Sequence, residues 1–137
     1  MQQTLAIIKP DATGRHLIGK LLSHMEEAGF TIKALKKLQL NQAQAEGFYA
    51  EHQGKAFFQP LVDYMMSGPL VVVVLEKDNA IEDYRTLMGA TDPTKRDPNS
   101  LRAKYALSYT ENSLHGSDSP ASAEREIAYF FSPSEII

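Results

Sequence analysis

The chain contains no cysteine among its 137 residues. Disulfide frameworks and thiolate zinc sites are therefore excluded, and the absence fits a reducing cytosol. No apolar run approaches the ~20 residues that a helix needs to span a bilayer, and the N-terminus lacks the basic segment and apolar core of a secretion signal. We therefore expect a cytoplasmic protein that has no membrane partner.

An excess of positive charge is also missing. The sequence has 14 basic and 17 acidic residues, so its net charge is -3 and its pI is about 5.8. This balance makes nucleic acid an improbable partner, and any anion site must be local. With 43% hydrophobic residues, the chain can bury the core of one compact domain over residues 1–137.

Apolar patterning predicts the secondary structure. Residues 4–8 and 70–75 are β-rich apolar runs typical of buried strands, residues 31–40 alternate as a further strand, and a short strand is expected near Leu114. Helical spacing or capping predicts helices at 18–28, 41–52, 60–66 and 81–88 and a last helix from Ser119 or Pro120, with His24 on a solvated face. The order is βαββαβ with additions, which predicts an α+β ferredoxin-like sandwich whose helices pack on a four-stranded antiparallel sheet.

The last helix and the loop before it carry a candidate catalytic pair. Ser119 is a good N-cap, and Pro120 fits the first helical position. Glu126 lies beside the apolar stripe of this helix, so its carboxylate needs either solvent or a fixed hydrogen-bond donor. His115 and the Ser117 hydroxyl in the preceding loop are candidate partners. A histidine held in one tautomer by a carboxylate is typical of covalent catalysis, although residue types alone favour an ordinary loop or capping histidine.

Several cationic and hydroxyl side chains could bind a polyphosphate. Lys9 ends the first strand, Arg85 lies on the 81–88 helix, and Thr91 and Arg102 lie in the long segment 90–109. Lys9 could equally extend to solvent, and an exposed arginine is usually only solvated. The pattern does not establish that these side chains converge.

The turn at 53–58 contains two adjacent aromatic residues, Phe57 and Phe58. One of them can belong to the core. The other could be a platform for a nucleobase, because stacking on an aromatic face tolerates any base and contributes roughly 1–3 kcal/mol.

Two stretches resemble the signatures of nucleoside diphosphate kinases. These are Asn-x-x-His-Gly-Ser-Asp-Ser at 112–119, followed by Ser-Ala-x-x-Glu-Ile-x-x-Phe-Phe at 122–131, and Ile-Ile-Lys-Pro-Asp at 7–11. The resemblance covers essentially the whole chain and implies the ferredoxin-like fold. It also implies that His115 is the phosphorylated nucleophile, that Glu126 and Ser117 position it, and that Lys9 takes part in both catalysis and nucleotide binding. The remaining nucleotide contacts that it implies are Tyr49, Arg85, Thr91, Arg102 and Asn112 for phosphates and ribose, and Phe57 and Leu61 for the base.

The resemblance further implies a reaction and its partners. The γ-phosphoryl group of ATP or another nucleoside triphosphate would pass to His115 and then to a nucleoside diphosphate, by ping-pong kinetics. Because a neutral imidazole must attack, activity should fall as the pH drops through about 6.5. Mg²⁺ would arrive with the nucleotide, without a metal site made of protein ligands. The protein would be a homo-oligomer, either a tetramer or a hexamer.

Two positions depart from the family pattern. Lys104 stands where the family usually has an acidic residue, and Tyr109 stands where a small aliphatic residue commonly backs the base. A nucleic-acid-binding or regulatory module is the alternative from another class, but strands 5–8 and 70–75 lack the aromatic residues that it requires. A catalytically silent homologue that only binds nucleotides is a third alternative, against which the intact His115 and Glu126 argue.

Overall fold

A four-stranded antiparallel sheet forms the centre of the computed structural model, which describes residues 1–108 and 111–137. The strands are β1 (Gln2–Ile8), β2 (Thr31–Leu38), β3 (Leu70–Lys77) and β4 (Leu114–Gly116). They lie in the order β2-β3-β1-β4, so the two most apolar strands occupy the middle of the sheet. Leu5 pairs with Val74 in this register, and both residues are fully buried.

Seven α-helices and three 3₁₀ segments complete the architecture of the described residues. The helices are α1 (Pro10–Gly14), α2 (Ile18–Glu27), α3 (Gln42–Phe48), α4 (Phe58–Met66), α5 (Ala80–Met88), α6 (Leu101–Tyr105) and α7 (Pro120–Phe130). The 3₁₀ segments are Ala50–His52, Pro93–Lys95 and Pro133–Glu135. The chain order β1-α2-β2-β3-α5-β4, combined with the strand order, is the ferredoxin-like βαββαβ arrangement. The predicted fold class is therefore confirmed.

The core has one layer on each face of the sheet because successive strand residues point to opposite sides. Val71 and Val73 pack with α2 and α5 on one face, in a cluster that includes Leu21 and Tyr84. Leu70, Val72 and Val74 pack with α3, α4 and α7 on the other face. The prediction that strand 70–75 is buried on both faces is confirmed.

Several predicted boundaries were close but not correct. The helix predicted over 41–52 ends at Phe48 and is followed by the 3₁₀ turn Ala50–His52. α4 begins at Phe58 rather than at Pro60, so Pro60 lies within the first turn of the helix. Proline is tolerated there because the N–H groups of the first turn have no acceptor within the helix. Helix α1 was not predicted.

The start of α5 and the outer face of α2 each show a contact that the sequence pattern did not predict. Asn79 precedes α5 in a left-handed conformation and makes no side-chain cap; the N–H of Ile81 instead donates to Gln2 Oε1 at 2.9 Å. His24 is not simply a solvated surface residue, because its Nε2 lies 3.0 Å from the hydroxyl of Tyr105 on α6. The apolar spacing of α2 could not predict this contact, because Tyr105 lies 81 residues further along the chain.

Within the two described ranges, no helix combines the length and the apolar character needed to cross a bilayer.

Candidate active site

A cleft of about 620 Å³ opens beside β4 and the N-terminal half of α7. The end of β1, the helical segment 42–66, α5, α6 and the segment before β4 also contribute side chains to it. Its lining includes all but one of the site residues predicted from sequence: Lys9, Tyr49, Phe57, Leu61, Arg85, Thr91, Arg102, Asn112, His115 and Glu126. The exception, Ser117, lies directly behind Glu126.

His115 and Glu126 form a hydrogen-bonded pair in the cleft wall. His115 lies on β4, which pairs with β1 so that His115 is opposite Ile7. Its Nε2 lies 2.8 Å from Glu126 Oε1, and the two side chains are 21% and 7% exposed. The ionised carboxylate accepts from Nε2–H, so Nδ1 is the ring nitrogen that Glu126 does not hold.

Glu126 is itself fixed by a second donor. The Ser117 hydroxyl donates to Oε1 at 2.9 Å, and Ser117 Oγ accepts from the N–H of Leu5 at 3.2 Å. Helix α7 begins with the predicted cap, since Ser119 Oγ accepts from the N–H of Ser122. Ser117 therefore links the Glu126 carboxylate to the sheet, and the capped helix α7 carries Glu126.

Lys9 and Asn112 form a second buried pair in the cleft. Lys9 is 6% exposed at the end of β1, and its Nζ donates to Asn112 Oδ1 at 3.0 Å. Burial and the nearby charge of Arg102 lower the pKa of Lys9 to about 7, although the Asp11 carboxylate opposes this shift. The proposed solvent-exposed alternative for Lys9 is therefore wrong.

Arg102 is anchored by backbone carbonyls. Nη1 donates to Gly89 O at 2.9 Å, and Nη2 donates to Leu114 O at 2.8 Å. Its Nε is buried and has no hydrogen-bond partner among the described residues. Two of the five N–H donors are thus used to join the end of α5 to β4, and the charge remains at the cleft wall.

Thr91 is held in the same part of the cleft by a residue that the sequence did not single out. Arg96 donates to Ala90 O and to Thr91 O, both at 2.9 Å. These bonds fix the backbone of the segment after α5. An arginine in an irregular segment was the only available signal.

The opposite wall of the cleft is aromatic. Phe57 is 48% exposed, whereas its neighbour Phe58 is buried in the core. The prediction that one ring of this pair is core is confirmed. Tyr49 is nearly buried, and burial, together with the charge of Glu126, raises the pKa of its hydroxyl well above the usual range.

The cleft lining also contains residues that the sequence analysis did not single out, among them Phe48, Asp118, Ser122 and Arg125. The ring of Phe48 packs edge-on against His115, with 5.4 Å between centroids. Arg125 Nη2 lies 3.7 Å from Glu126 Oε2 and 3.7 Å from Glu51 Oε1.

A hydrogen bond from Ser122 and the charge of Arg85 lower the pKa of Asp118, which is therefore anionic. Helical phase relative to Glu126 could have indicated Ser122, but not its contact with Asp118.

The structure describes one of the two positions that depart from the family pattern. Lys104 is an exposed residue of α6, the helix that carries Arg102. Tyr109 lies outside the described residues.

Comparison with known proteins identifies the family. The family model described as nucleoside diphosphate kinase matches residues 2–136. The chain belongs to the nucleoside diphosphate kinase family. The fold and the predicted resemblance agree with this membership.

Named relatives of the nucleoside diphosphate kinase family match over their full length. A nucleoside diphosphate kinase of Actinobacillus pleuropneumoniae serotype 3 is 69% identical over 137 residues, which cover 100% of this chain and 99% of that protein. One from Pasteurella multocida is 59% identical over 136 residues, covering 99% of this chain and 98% of the relative.

Solved structures agree with the sequence relatives. The nucleoside diphosphate kinase of Aquifex aeolicus superposes with a TM-score of 0.96 at 43% identity and covers 99% of both chains. The Halobacterium salinarum nucleoside diphosphate kinase in complex with CDP gives a TM-score of 0.95 at 36% identity, covering 99% of this chain and 91% of the other.

The chain is therefore an enzyme of nucleotide metabolism. As a nucleoside diphosphate kinase, it transfers the γ-phosphoryl group of a nucleoside triphosphate to a nucleoside diphosphate by a ping-pong mechanism. This activity was predicted from the sequence and is confirmed. The roles of the individual site residues remain predictions.

Proposed function

We propose that His115 carries the phosphoryl group between the two nucleotides of the ping-pong cycle. The observation that carries this proposal is the 2.8 Å hydrogen bond from His115 Nε2 to the buried Glu126 carboxylate, in the wall of the cleft. The bond fixes the tautomer, so the lone pair is on Nδ1. Glu126 and Ser117 then act as positioning residues, which hold the ring but do not attack.

The proposed step has a simple balance of bonds. The Nδ1 lone pair attacks the γ-phosphorus, a P–N bond forms, and the bond from phosphorus to the β–γ bridging oxygen breaks. The nucleoside diphosphate leaves with that electron pair. A terminal oxygen of the second diphosphate then attacks the phosphohistidine, and Nδ1 recovers its lone pair.

Positive charge along the cleft would stabilise this transfer. Phosphoryl transfer passes through a loose transition state, so catalysis depends mainly on in-line positioning and on charge placed around the phosphate oxygens. Lys9, Arg85 and Arg102 supply the charge, and Thr91 supplies a hydroxyl donor. Asn112, held by Lys9, is placed to contact ribose or phosphate.

The exposed Phe57 ring is the proposed base platform, with Leu61 and Tyr49 beside it in the cleft. Stacking uses the flat face of a base and ignores the pattern of its edges. One site could therefore accept purine and pyrimidine nucleotides alike.

Mg²⁺ is proposed to enter as part of the nucleotide substrate. No group of three or more histidine, aspartate or glutamate side chains that could hold a metal occurs in the part of the chain that the structure describes. A phosphate-bound ion needs only one or two protein contacts, since Mg²⁺ keeps several of its waters.

We also propose a cytoplasmic homo-oligomer, either a tetramer or a hexamer. β2 is an outer strand of the sheet, and Leu35 on it is 50% exposed. Such an edge is usually protected by pairing or covering. Light scattering that gives a single 15.2 kDa chain at micromolar concentration would contradict this proposal.

The proposed role of His115 is tested with γ-labelled ATP. We expect the parent protein to gain one acid-labile, alkali-stable phosphoryl group, which added GDP removes as GTP. His115→Ala should gain none and should have no transfer activity, while His16→Ala, which alters a histidine outside the cleft, should behave like the parent. Label on His115→Ala that GDP still discharges would overturn the assignment.

A further inference from the structure

Asp11 lies outside the cleft, yet it connects segments that carry cleft residues. It belongs to the first turn of α1, two residues after Lys9, and its side chain is 4% exposed. It lines a separate groove on the protein together with Tyr64 and Leu107. The proposed mechanism does not use it so far.

Both oxygens of the Asp11 carboxylate accept hydrogen bonds from distant parts of the chain. Oδ1 accepts from the Tyr64 hydroxyl on α4 and from the N–H of Ser113 at 3.3 Å. Oδ2 accepts from Ser113 Oγ at 3.1 Å and from Arg15 Nη2 at 3.1 Å. Arg15 also donates to Tyr105 O on α6 at 2.6 Å. We call these five residues the Asp11 network.

Ser113 needs this support because its backbone is in the left-handed region. Its φ is +72°, a value that residues other than glycine rarely adopt. The turn at Ser113 lies between Asn112 and β4. The side-chain oxygen of Asn112 accepts a hydrogen bond from Lys9, and β4 carries His115. The N–H of Lys9 also donates to Ser113 O at 2.8 Å. Fixing this turn therefore fixes two sides of the cleft at once.

Asp11 also affects the charge of Lys9. Burial and the Arg102 guanidinium both disfavour a charged Lys9, and the Asp11 carboxylate counteracts them by raising the pKa. Arg15 pairs with the same carboxylate, with 3.1 Å between its Nη2 and Asp11 Oδ2. The other charged or titratable groups that line the cleft with Lys9 come from several elements. They are Tyr49, Glu51 and His52 after α3, Arg85 on α5, Arg102 on α6, His115 on β4, and Asp118, Arg125 and Glu126 beside or on α7.

We propose that Asp11 is a positioning residue for phosphoryl transfer: it fixes the Ser113 turn that sets Asn112 and His115, and its negative charge favours the ammonium form of Lys9 that binds the phosphates. This inference rests on the proposed function of His115 and Lys9. A carboxylate with a purely structural role would affect stability but not the charge state of the cleft.

The test is Asp11→Asn, which keeps the size of the side chain and one acceptor oxygen but removes the charge. We measure kcat/KM for ATP from pH 5.5 to 9.5, because in a ping-pong cycle this parameter reports the ionisations of the free, unphosphorylated enzyme. For Asp11→Asn, we expect the alkaline limb of the pH profile of kcat/KM to move to lower pH by roughly one unit. At pH 8, kcat/KM should therefore fall roughly tenfold. At pH 6 the deficit should be smaller.

The matched control is Asp63→Asn, which makes the same change at an exposed position of α4. It should leave the profile unchanged. An Asp11→Asn profile that keeps the parental alkaline limb, whether the activity is parental or reduced equally at every pH, would overturn the proposal. If Asp11→Asn does not fold, Asp11→Glu takes its place: the limb should stay parental while kcat falls, and a shifted limb would be the contrary result.

Labelling of the same preparations separates this inference from the one on which it rests. Parent protein without phosphohistidine at His115 contradicts the proposed function. If the parent protein forms phosphohistidine at His115 normally but Asp11→Asn keeps the parental alkaline limb of the pH profile, only the role of Asp11 is contradicted.

Discussion

At the scale of single residues, Lys9 is the group whose ionisation the fold changes most clearly. Its pKa falls from 10.5 to about 7 because it is buried beside Arg102. Between these two values the unfolded chain holds a proton that the folded chain has lost. Lys9 therefore destabilises the fold most below pH 7, and this penalty decreases as the pH rises towards 10.5.

Nucleotide binding should reverse this shift. An anionic phosphate favours the charged amine, so at pH 8 the protein should take up a proton as it binds ADP. Titration calorimetry in two buffers of different ionisation enthalpy measures this uptake. We expect close to one proton for the parent and almost none for Lys9→Met. Equal heats in both buffers for the parent would contradict the assignment.

Glu126 offers a second test at this scale. Glu126→Gln keeps a hydrogen-bond acceptor but removes the charge that holds the His115 tautomer, so phosphorylation of the protein should slow roughly a hundredfold. Rapid mixing with ATP and acid-free quenching measures the rate. Glu124→Gln, an exposed change on the same helix, should be neutral. A parental phosphorylation rate in Glu126→Gln would show that the Glu126 charge does not position His115.

At the scale of secondary-structure elements, the close approach of β4 and α5 places His115. Gly116 allows this approach, because a Cβ at this position would lie 2.6 Å from Met88 Cε and 2.7 Å from Tyr84 Cδ2. The methionine end could move, but the Tyr84 ring is fully buried and packs edge-on against Phe30. The glycine after His115 is therefore a packing requirement.

Gly116→Ala should accordingly destabilise the protein by about 1–3 kcal/mol and lower kcat, because β4 must shift. Gly19→Ala is the matched control: it lies in helix α2 with no atom near its added Cβ, and it should stabilise by up to about 1 kcal/mol. Urea unfolding measures both changes. A neutral Gly116→Ala would show that the strand can move freely from α5.

Elements with strong patterns were predictable from the sequence, and contacts between distant segments were not. The apolar runs of β1 and β3 and the Ser119-Pro120 start of α7 carry their own signals. The short helix α1 has no periodicity, so both it and Asp11 were missed. The contact of His24 with Tyr105 depends on α2 and α6 meeting across the fold. For the same reason, the sequence indicated the cleft residues singly, and the family resemblance was needed to bring them together.

At the scale of the whole molecule, the cleft gathers side chains from residue 9 to residue 126 of the chain. A bound nucleotide would therefore contact segments that lie far apart in the sequence. Ligands that bind only the folded state stabilise it in proportion to RT ln(1 + [L]/Kd).

We therefore expect ADP, GDP and CDP all to raise the melting temperature, by similar amounts, in a concentration-dependent way. Stacking on Phe57 is the reason for the similarity. Scanning fluorimetry measures the shifts. Phe57→Ala should reduce all three shifts together, whereas a shift confined to one base would indicate readout of base edges.

In the proposed mechanism, His115 carries the phosphoryl group on the ring nitrogen that Glu126 leaves available. The most direct measurement is ¹⁵N–³¹P coupling in the phosphorylated protein, with histidine labelled separately at each ring nitrogen. We expect one phosphohistidine, with phosphorus bonded to Nδ1 of His115. Phosphorus bonded to Nε2, or to any other residue, would contradict it.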